Sequence, residues 1–348
     1  MNTNNDDKLS RRDFARATTL GAGALGAGRL VAAGTPKGNI KPGLYSINYL
    51  GLWYRGDALT LEQVVQRAKQ FGYEGVEIDG KRPHGDPLAM PRNRCRELRQ
   101  FASDQGIEIY AVAANNDFSS PMPEFREAQL VYVRELIRMS ADLGAKLLRV
   151  FLAWPGVTTV PEGGGRYDIA RRVWAETHKE FSAERTWAWC REGMTEAARY
   201  AGDYGVTLAL QNHAPVIKGY RDVLRMVREV GSPNLKVCFD ARLEHEMTPQ
   251  DVVRASREIG PLQVLSHYGN EYTEVDGLIV LKEDELITAQ VAGLLEIGYQ
   301  GYLGFELCHP LPVVNGRLVG IDFADKNAKL AARSLRETIA EVTKQRAG

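Results

Sequence analysis

Short apolar runs alternate with longer stretches in which apolar residues recur at helical spacing. Gly43–Asn48, Gly75–Ile78, Ile107–Ala113, Leu147–Phe151, Thr207–Asn212, Leu235–Phe239, Gln263–Ser266 and Tyr302–Phe305 read as strands. The stretches between them read as helices. Two open on capping signals, Thr60-Leu-Glu-Gln and Thr248-Pro-Gln-Asp, the second with Pro at the first helical position. Several close on a glycine just before the next strand: Gly72, Gly106, Gly144, Gly205 and Gly298. The phrases at 71–77 (FGYEGVE) and 297–303 (IGYQGYL) are near copies, as expected of a repeated strand-helix unit. Eight short, mostly apolar strands alternating with eight helices predict an α/β chain folded as a (β/α)8 TIM barrel, not an open doubly wound sheet. One connection is long. Residues 153 to about 183 follow the fourth strand and contain Gly163-Gly-Gly, which marks a lid over the site or a contact between subunits.

Polar side chains sit at the tail ends of four successive runs: Gln211, Asp240, His267 and Glu306, at intervals of 29, 27 and 39 residues. Each interval is about one strand-helix unit, so all four reach the same mouth of the barrel, where such folds do their chemistry. One amide, two carboxylates and one imidazole form a candidate ligand set for a divalent metal. Gln211 either ligates through its carbonyl or hydrogen-bonds a metal-bound water or a substrate hydroxyl.

Composition narrows the function. The chain has 348 residues with 44 basic and 44 acidic side chains, so it lacks the basic footprint of a nucleic-acid binder and the polybasic surface of a lipid binder. Ser10-Arg-Arg-Asp-Phe is a twin-arginine motif, followed by a weakly apolar Gly/Ala-rich stretch and by Val31-Ala-Ala, a cleavage site of small residues. Residues 1–33 are therefore expected to be a Tat-type export signal and 34–348 the barrel domain, periplasmic or exported, with no membrane insertion after the signal is removed. Gly21, Gly23 and Gly26 spell a dinucleotide-binding pattern, but no strand precedes them, so the match is discounted. Cys95, Cys190, Cys238 and Cys308 have no framework spacing and read as small buried hydrophobes, with a Cys238–Cys308 bridge left open.

With these residues in place, the chain resembles the xylose isomerase-like superfamily of sugar isomerases and epimerases over nearly all of residues 34–348. That resemblance implies a metal held by Glu, Asp, His and Glu from strands five to eight. Asp240, His267 and Glu306 match this pattern, and Gln211 stands at the first Glu position. The resemblance also implies that 3-epimerases exchange a proton between two metal-bound Glu residues on opposite faces of the sugar. An amide cannot take up a proton, so a second base is needed. His213, two residues past Gln211, is the candidate, either as base or as a satisfied loop histidine. Two family features are missing: Leu243 stands where a His commonly follows the metal Asp, and no Arg follows His267 closely.

Further substrate-binding candidates are Asn48, Asn115 and Arg149 at strand ends, Trp53 and Trp154 as pocket walls, and His245 and His309 beyond the metal positions. Arg149 is also a candidate ion-pair partner for Glu77. Trp187 and Trp189 read as packing residues, and His84 and His178 as surface residues. The expected function is a metal-dependent isomerase or epimerase of a non-phosphorylated sugar or keto-sugar. It would abstract a proton beside a carbonyl polarised by Mn²⁺, Mg²⁺, Co²⁺ or Zn²⁺, with Glu306 or His213 moving the proton. The rival readings are a metal-dependent lyase acting by β-elimination on 3-keto-glycosides made by a partner dehydrogenase, and a non-catalytic periplasmic sugar-binding barrel. A homo-oligomer is compatible with all three.

Overall fold

The computed structural model describes residues 38–160, 164–282 and 286–347, so the export motif and its cleavage site lie outside the described residues. Eight parallel strands close into a barrel: β1 (Asn39–Tyr45), β2 (Gly75–Asp79), β3 (Glu108–Ala113), β4 (Leu147–Val150), β5 (Thr207–Gln211), β6 (Leu235–Cys238), β7 (Gln263–Tyr268) and β8 (Gln300–Phe305). Each is hydrogen-bonded to its sequence neighbours, and β8 returns to β1 in the register Asn39↔Gln300 through Leu44↔Phe305. The helices between and after them are α1 (Leu61–Phe71), α2 (Arg92–Asp104), α3 (Pro123–Leu143), α4 (Ala183–Asp203), α5 (Tyr220–Val230), α6 (Pro249–Ile259), α7 (Ile287–Glu296) and α8 (Ile321–Ala347). Among the described residues, no helix is long and apolar enough to cross a membrane.

The capping signals do what their chemistry dictates. Thr60 and Thr248 each close a reciprocal box with the residue three further on, satisfying two otherwise orphaned N–H groups per helix. Gly72, Gly106, Gly144, Gly205 and Gly298 all adopt positive φ where a helix hands over to a strand.

Strand β1 starts earlier than the apolar pattern predicts and ends at Tyr45, with Ser46–Tyr49 turning into a 3-10 helix. Lys41 and Pro42 conceal the start, because a proline lacks the N–H a ladder needs. The carbonyl of Pro42 still accepts a bond, from Glu74 N–H at 2.9 Å. Outward-facing strand residues such as Val76, Ile78, Leu148 and Leu210 bury against Leu98, Leu136 and their helix neighbours in one continuous core. Inside the barrel, Tyr110, Ala111, Ala209, Cys238, Leu265 and Tyr302 make a second, smaller cluster.

The described residues of the long connection after β4 include regular structure. Thr158–Val160 pairs antiparallel with Gly164–Arg166, and a helix follows at Tyr167–His178. The two histidines expected at the surface are buried instead. His84 bridges Ser46 Oγ (3.0 Å) and Leu59 O (2.9 Å), while His178 stacks on Trp174 and bonds Ser119 O at 2.9 Å. A histidine with partners on both sides of its ring is held inside, which neither the Pro/Gly-rich flanks of His84 nor the place of His178 in the long insertion reveals. Trp187 packs as expected, with Nε1 donating to Glu229. Cys238 and Cys308 are both free, so no bridge joins them.

Candidate active site at the barrel mouth

Five side chains, four on strands β2, β4, β5 and β7 and one just past the end of β6, close a ring of hydrogen bonds. Arg149 Nη1 donates to Gln211 Oε1 at 2.9 Å, and Gln211 Nε2 donates to Asp240 Oδ2. Asp240 Oδ2 lies 3.0 Å from His267 Nδ1, and His267 Nε2 lies 2.6 Å from Glu77 Oε2. Arg149 Nε donates back to Glu77 Oε1 at 2.9 Å. All five residues are buried. The orientation of the amide is fixed by its neighbours, since a guanidinium can only donate and a carboxylate can only accept. Period-two alternation puts Glu77, Arg149 and Gln211 inward on their strands, and the barrel then brings them together. The pairing of Arg149 with Glu77 expected from their strand-end positions is therefore present, and Arg149 also claims the carbonyl of Gln211.

Asparagines just past alternate strand ends hold the ring's frame. Asn212 donates to Asp240 O at 3.0 Å and accepts from Asp240 N at 2.9 Å. Asn116 brackets Phe151 in the same manner, at 2.7 and 3.1 Å. Asn48 donates to Phe305 O at 3.1 Å and accepts from Leu307 N at 2.6 Å, so it grips the backbone on both sides of Glu306. Each of these side chains completes a two-point amide pair with a strand end on the next element. Asn48 is thus occupied in positioning Glu306 and does not line the cavity.

That cavity, about 60 Å³, lies above the ring. Gln211, Glu306, Arg149, Asn115, His213, Trp53 and Trp154 line it, as do four residues that the sequence pattern does not assign to the site: Asp79, Lys81, Tyr167 and Cys308. Asp79 accepts from Tyr45 Oη at 2.5 Å and from Asn115 Nδ2 at 3.1 Å, and Lys81 donates to Asn115 Oδ1 at 3.3 Å. Asp79 shares its inward parity with Glu77, which is the signal that would find it. Glu306 accepts from Cys308 Sγ at 3.1 Å and stands 3.9 Å from Arg149 Nη1. His245 is exposed and does not line the cavity. His309 is bonded to Glu271 at 3.1 Å, also outside it. A larger cavity of about 590 Å³ opens among the N-terminal strand ends, at Lys41, Glu108, Tyr110 and Tyr302. There Tyr302 donates to Glu108 at 2.8 Å and Lys41 pairs with Glu108 at 3.7 Å, leaving no convergent reactive set among the described residues.

The mouth is covered. Tyr167 packs on Trp53 and Trp154 with ring centroids 5.2 and 5.7 Å away, and its hydroxyl donates to Cys308 O at 3.0 Å. Gly165 N donates to Leu52 O at 2.8 Å. The enclosed space is far below the roughly 300 Å³ at which small-ligand pockets begin, so the covered form has no room for a small ligand. A Cβ at Gly165 would sit 2.6 Å from the Trp53 ring. Gly165→Ala is therefore expected to disfavour the covered form by about 1–3 kcal/mol, the usual range for overpacking. Because the covered form cannot hold a ligand, steady-state kinetics should show a lowered KM, with the circular-dichroism melt of the barrel little changed. An unaltered KM would mean that the cover plays no part in binding.

Charge in the ring is set by its own members. Burial alone would push Glu77 and Asp240 upward, but the His267 imidazole and the Arg149 guanidinium beside them hold both carboxyls below their ordinary range. Burial would push His267 down, yet the Asp240 and Glu77 carboxylates on its two ring nitrogens drive it well above 6.5. His213 is different. Burial lowers it to about 4, and its Nδ1 lies 2.5 Å from Ala214 O. The carbonyl fixes the proton on Nδ1 and leaves Nε2 a bare acceptor. The sequence alone implies the ordinary value near 6.5; an imidazole at about 4 is no more basic than an ordinary glutamate.

The donors suit a metal in part. Cys238 Sγ, an Asp240 oxygen and a His267 nitrogen all lie within 4.8 Å of one another. With Nε2 of His267 on Glu77, its Nδ1 faces Asp240, the usual arrangement of a ligating histidine backed by a carboxylate. The Cys238 thiol is pushed up to about 12 by burial. The Gln211 carbonyl is engaged by Arg149 and is not offered to the Asp240–His267 pair.

Comparison with known proteins accords with this geometry. Residues 65–338 match the family model described as a xylose isomerase-like TIM barrel. A fructoselysine 3-epimerase of Shigella flexneri is 22% identical over 266 residues, covering 72% of this chain and 86% of the relative. Among solved structures, D-psicose 3-epimerase with D-tagatose from Clostridium cellulolyticum H10 superimposes with a TM-score of 0.62 at 19% identity, over 86% of this chain and 99% of that one. The 3-keto-D-glucoside 4-epimerase from E. coli does so with 0.59 at 17% identity, over 88% and 100%. At these identities the structures show a shared fold.

Proposed function

The chain belongs to the xylose isomerase-like TIM-barrel family, and from that premise we propose that it is a metal-dependent epimerase or isomerase of a non-phosphorylated keto-sugar. The carrying observation is the Asp240–His267 pair, 3.0 Å apart and braced by Glu77, beneath a mouth that presents Glu306. A divalent ion (Mn²⁺, Mg²⁺, Co²⁺ or Zn²⁺) held by Asp240 and His267, with Glu306 at its rim, would supply Lewis acidity to a sugar carbonyl. The curated relative cited above is a sugar 3-epimerase, which supports the sugar class.

This chain's own residues do the rest. Glu306, on the cavity wall and steadied by Asn48 and Cys308, takes the proton from the carbon beside the carbonyl. His213 presents Nε2 from the β5 side, with β6 and β7 between it and β8, and meets the sugar from another direction. Trp53, Trp154 and Tyr167 wall the space and exclude water. The two cations that line the mouth have carboxylate partners, Arg149 with Glu77 and Lys81 with Asp79 at 3.8 Å, which suits an uncharged sugar rather than a phosphorylated one.

A second reading, a lyase acting on 3-keto-glycosides supplied by a separate dehydrogenase, draws support from Gln211. An amide tied between Arg149 and Asp240 cannot shuttle protons, and β-elimination needs only one base. The test is incubation of the metal-loaded chain with D-psicose, D-fructose and a 3-keto-glucoside in deuterated water, read by NMR. Epimer formation with deuterium at the epimerised carbon supports the first reading, and released aglycone the second. Sugar binding without exchange would leave a binding barrel, and chelation is expected to abolish turnover. Export through the twin-arginine route is part of the proposal; cell fractionation finding the chain in the cytoplasm would remove it.

A further inference from the structure

We propose that Arg149 is a catalytic residue that stabilises charge on the substrate oxygen, and that Gln211 is the positioning residue that holds its guanidinium in place without neutralising it. The inference rests on the proton-abstraction reading of this site. Arg149 is 2% exposed, lines the cavity, and stands 3.9 Å from the carboxylate assigned as base. Its Nε is spent on Glu77 and its Nη1 on Gln211, while Nη2 has no hydrogen-bond partner among the described residues. The guanidinium carbon lies over the rings of Tyr45 and Phe151, 4.6 and 5.3 Å from their centroids. A buried guanidinium on a cavity wall, held by Glu77, Gln211 and two aromatic rings and with a nitrogen left unbonded, is a preorganised oxyanion site.

The ring explains why residue 211 is an amide. Glu77 shares its charge between Arg149 and His267, so the guanidinium keeps net positive charge at the cavity. Glutamine accepts the Nη1 bond without adding charge. Glutamate at the same place would pair with Arg149 and quench it, and would set a second carboxylate against Asp240. The step balances. Glu306 takes the proton from carbon, and the C–H electron pair moves to form the enediolate double bond. The carbonyl π electrons pass to oxygen and stay there as an oxyanion, which hydrogen bonds from the Arg149 guanidinium stabilise. Collapse of the enediolate then either returns a proton to carbon or expels a β-substituent with its bonding pair.

The experiment measures deuterium exchange into D-psicose, kcat, KM and Mn²⁺ affinity by electron paramagnetic resonance for wild type, Arg149→Met, Arg149→Lys and Gln211→Glu. Removing one oxyanion donor from a preorganised site lowers kcat by about 10²–10³-fold, and Arg149→Met is expected in that range with Mn²⁺ held at least as tightly, since a nearby cation is gone. Arg149→Lys keeps the charge without the fork and is expected to fall between. Gln211→Glu is expected to lose kcat by roughly tenfold or more at near-constant KM while binding Mn²⁺ as well or better. If Arg149→Met fails to fold, the other two variants decide. Wild-type kcat in Arg149→Lys, unchanged or faster turnover in Gln211→Glu, or loss of Mn²⁺ from Arg149→Met each overturns the assignment. A wild-type chain that exchanges no proton with any keto-sugar refutes the underlying reading instead.

Discussion

Glu306→Gln is expected to abolish measurable epimerisation, with kcat down by about 10²–10⁴-fold, the usual contribution of a positioned general base. The side chain keeps its shape, and its new carbonyl still accepts from Cys308 Sγ, so the wall of the cavity is preserved. What disappears is the lone pair at that position able to take a proton from carbon. Sugar affinity, read by calorimetry with the catalytically silent variant, is expected to stay near that of the wild type. Deuterium exchange into the sugar should fall in step with kcat, because the same proton is counted in both. A variant that exchanges at the wild-type rate would mean that abstraction is done from elsewhere at the mouth.

Glu77→Ala carries the largest expected effect on stability. Glu77 is completely buried and serves two cationic partners, Arg149 at 2.9 Å and His267 at 2.6 Å. Taking one partner from a buried ion pair costs about 3–5 kcal/mol, because the remaining charge stays in a medium that solvates it poorly. The expected reading is a lower urea midpoint with little change in slope. A loss below about 1 kcal/mol would show that the ring contributes little to holding the barrel together.

Much of this is legible in the chain and some is not. Strand positions follow from short apolar runs bounded by glycines, and the convergence of Gln211, Asp240, His267 and Glu306 on one mouth follows from strand-helix spacing alone. Arg149 and Glu77 are legible as a pair because both lie near strand ends. The turn of Gln211 toward Arg149 is not, since it depends on which strands are neighbours inside the barrel. The role of Asn48 is hidden for a related reason. An asparagine at a strand end reads equally as a sugar ligand or as a backbone clamp, and only its contacts with Phe305 and Leu307 decide. The weak basicity of His213 is invisible in the chain because burial under Phe151 and Trp154 is a property of the folded mouth, not of the residues around it in sequence.

The closed ring also bears on the order of events in making the mature protein. Every member of the ring finds a partner within the chain, and the amide of Gln211 is the link that lets Asp240 face a donor where a carboxylate would repel it. Such a ring lets the barrel close without an ion, so the proposed metal is expected to bind after folding. Protein stripped with chelator and unfolded in urea should regain its native circular-dichroism spectrum before any salt of a divalent metal is added. Which divalent ion the proposed site takes would then depend on what the finished barrel meets first.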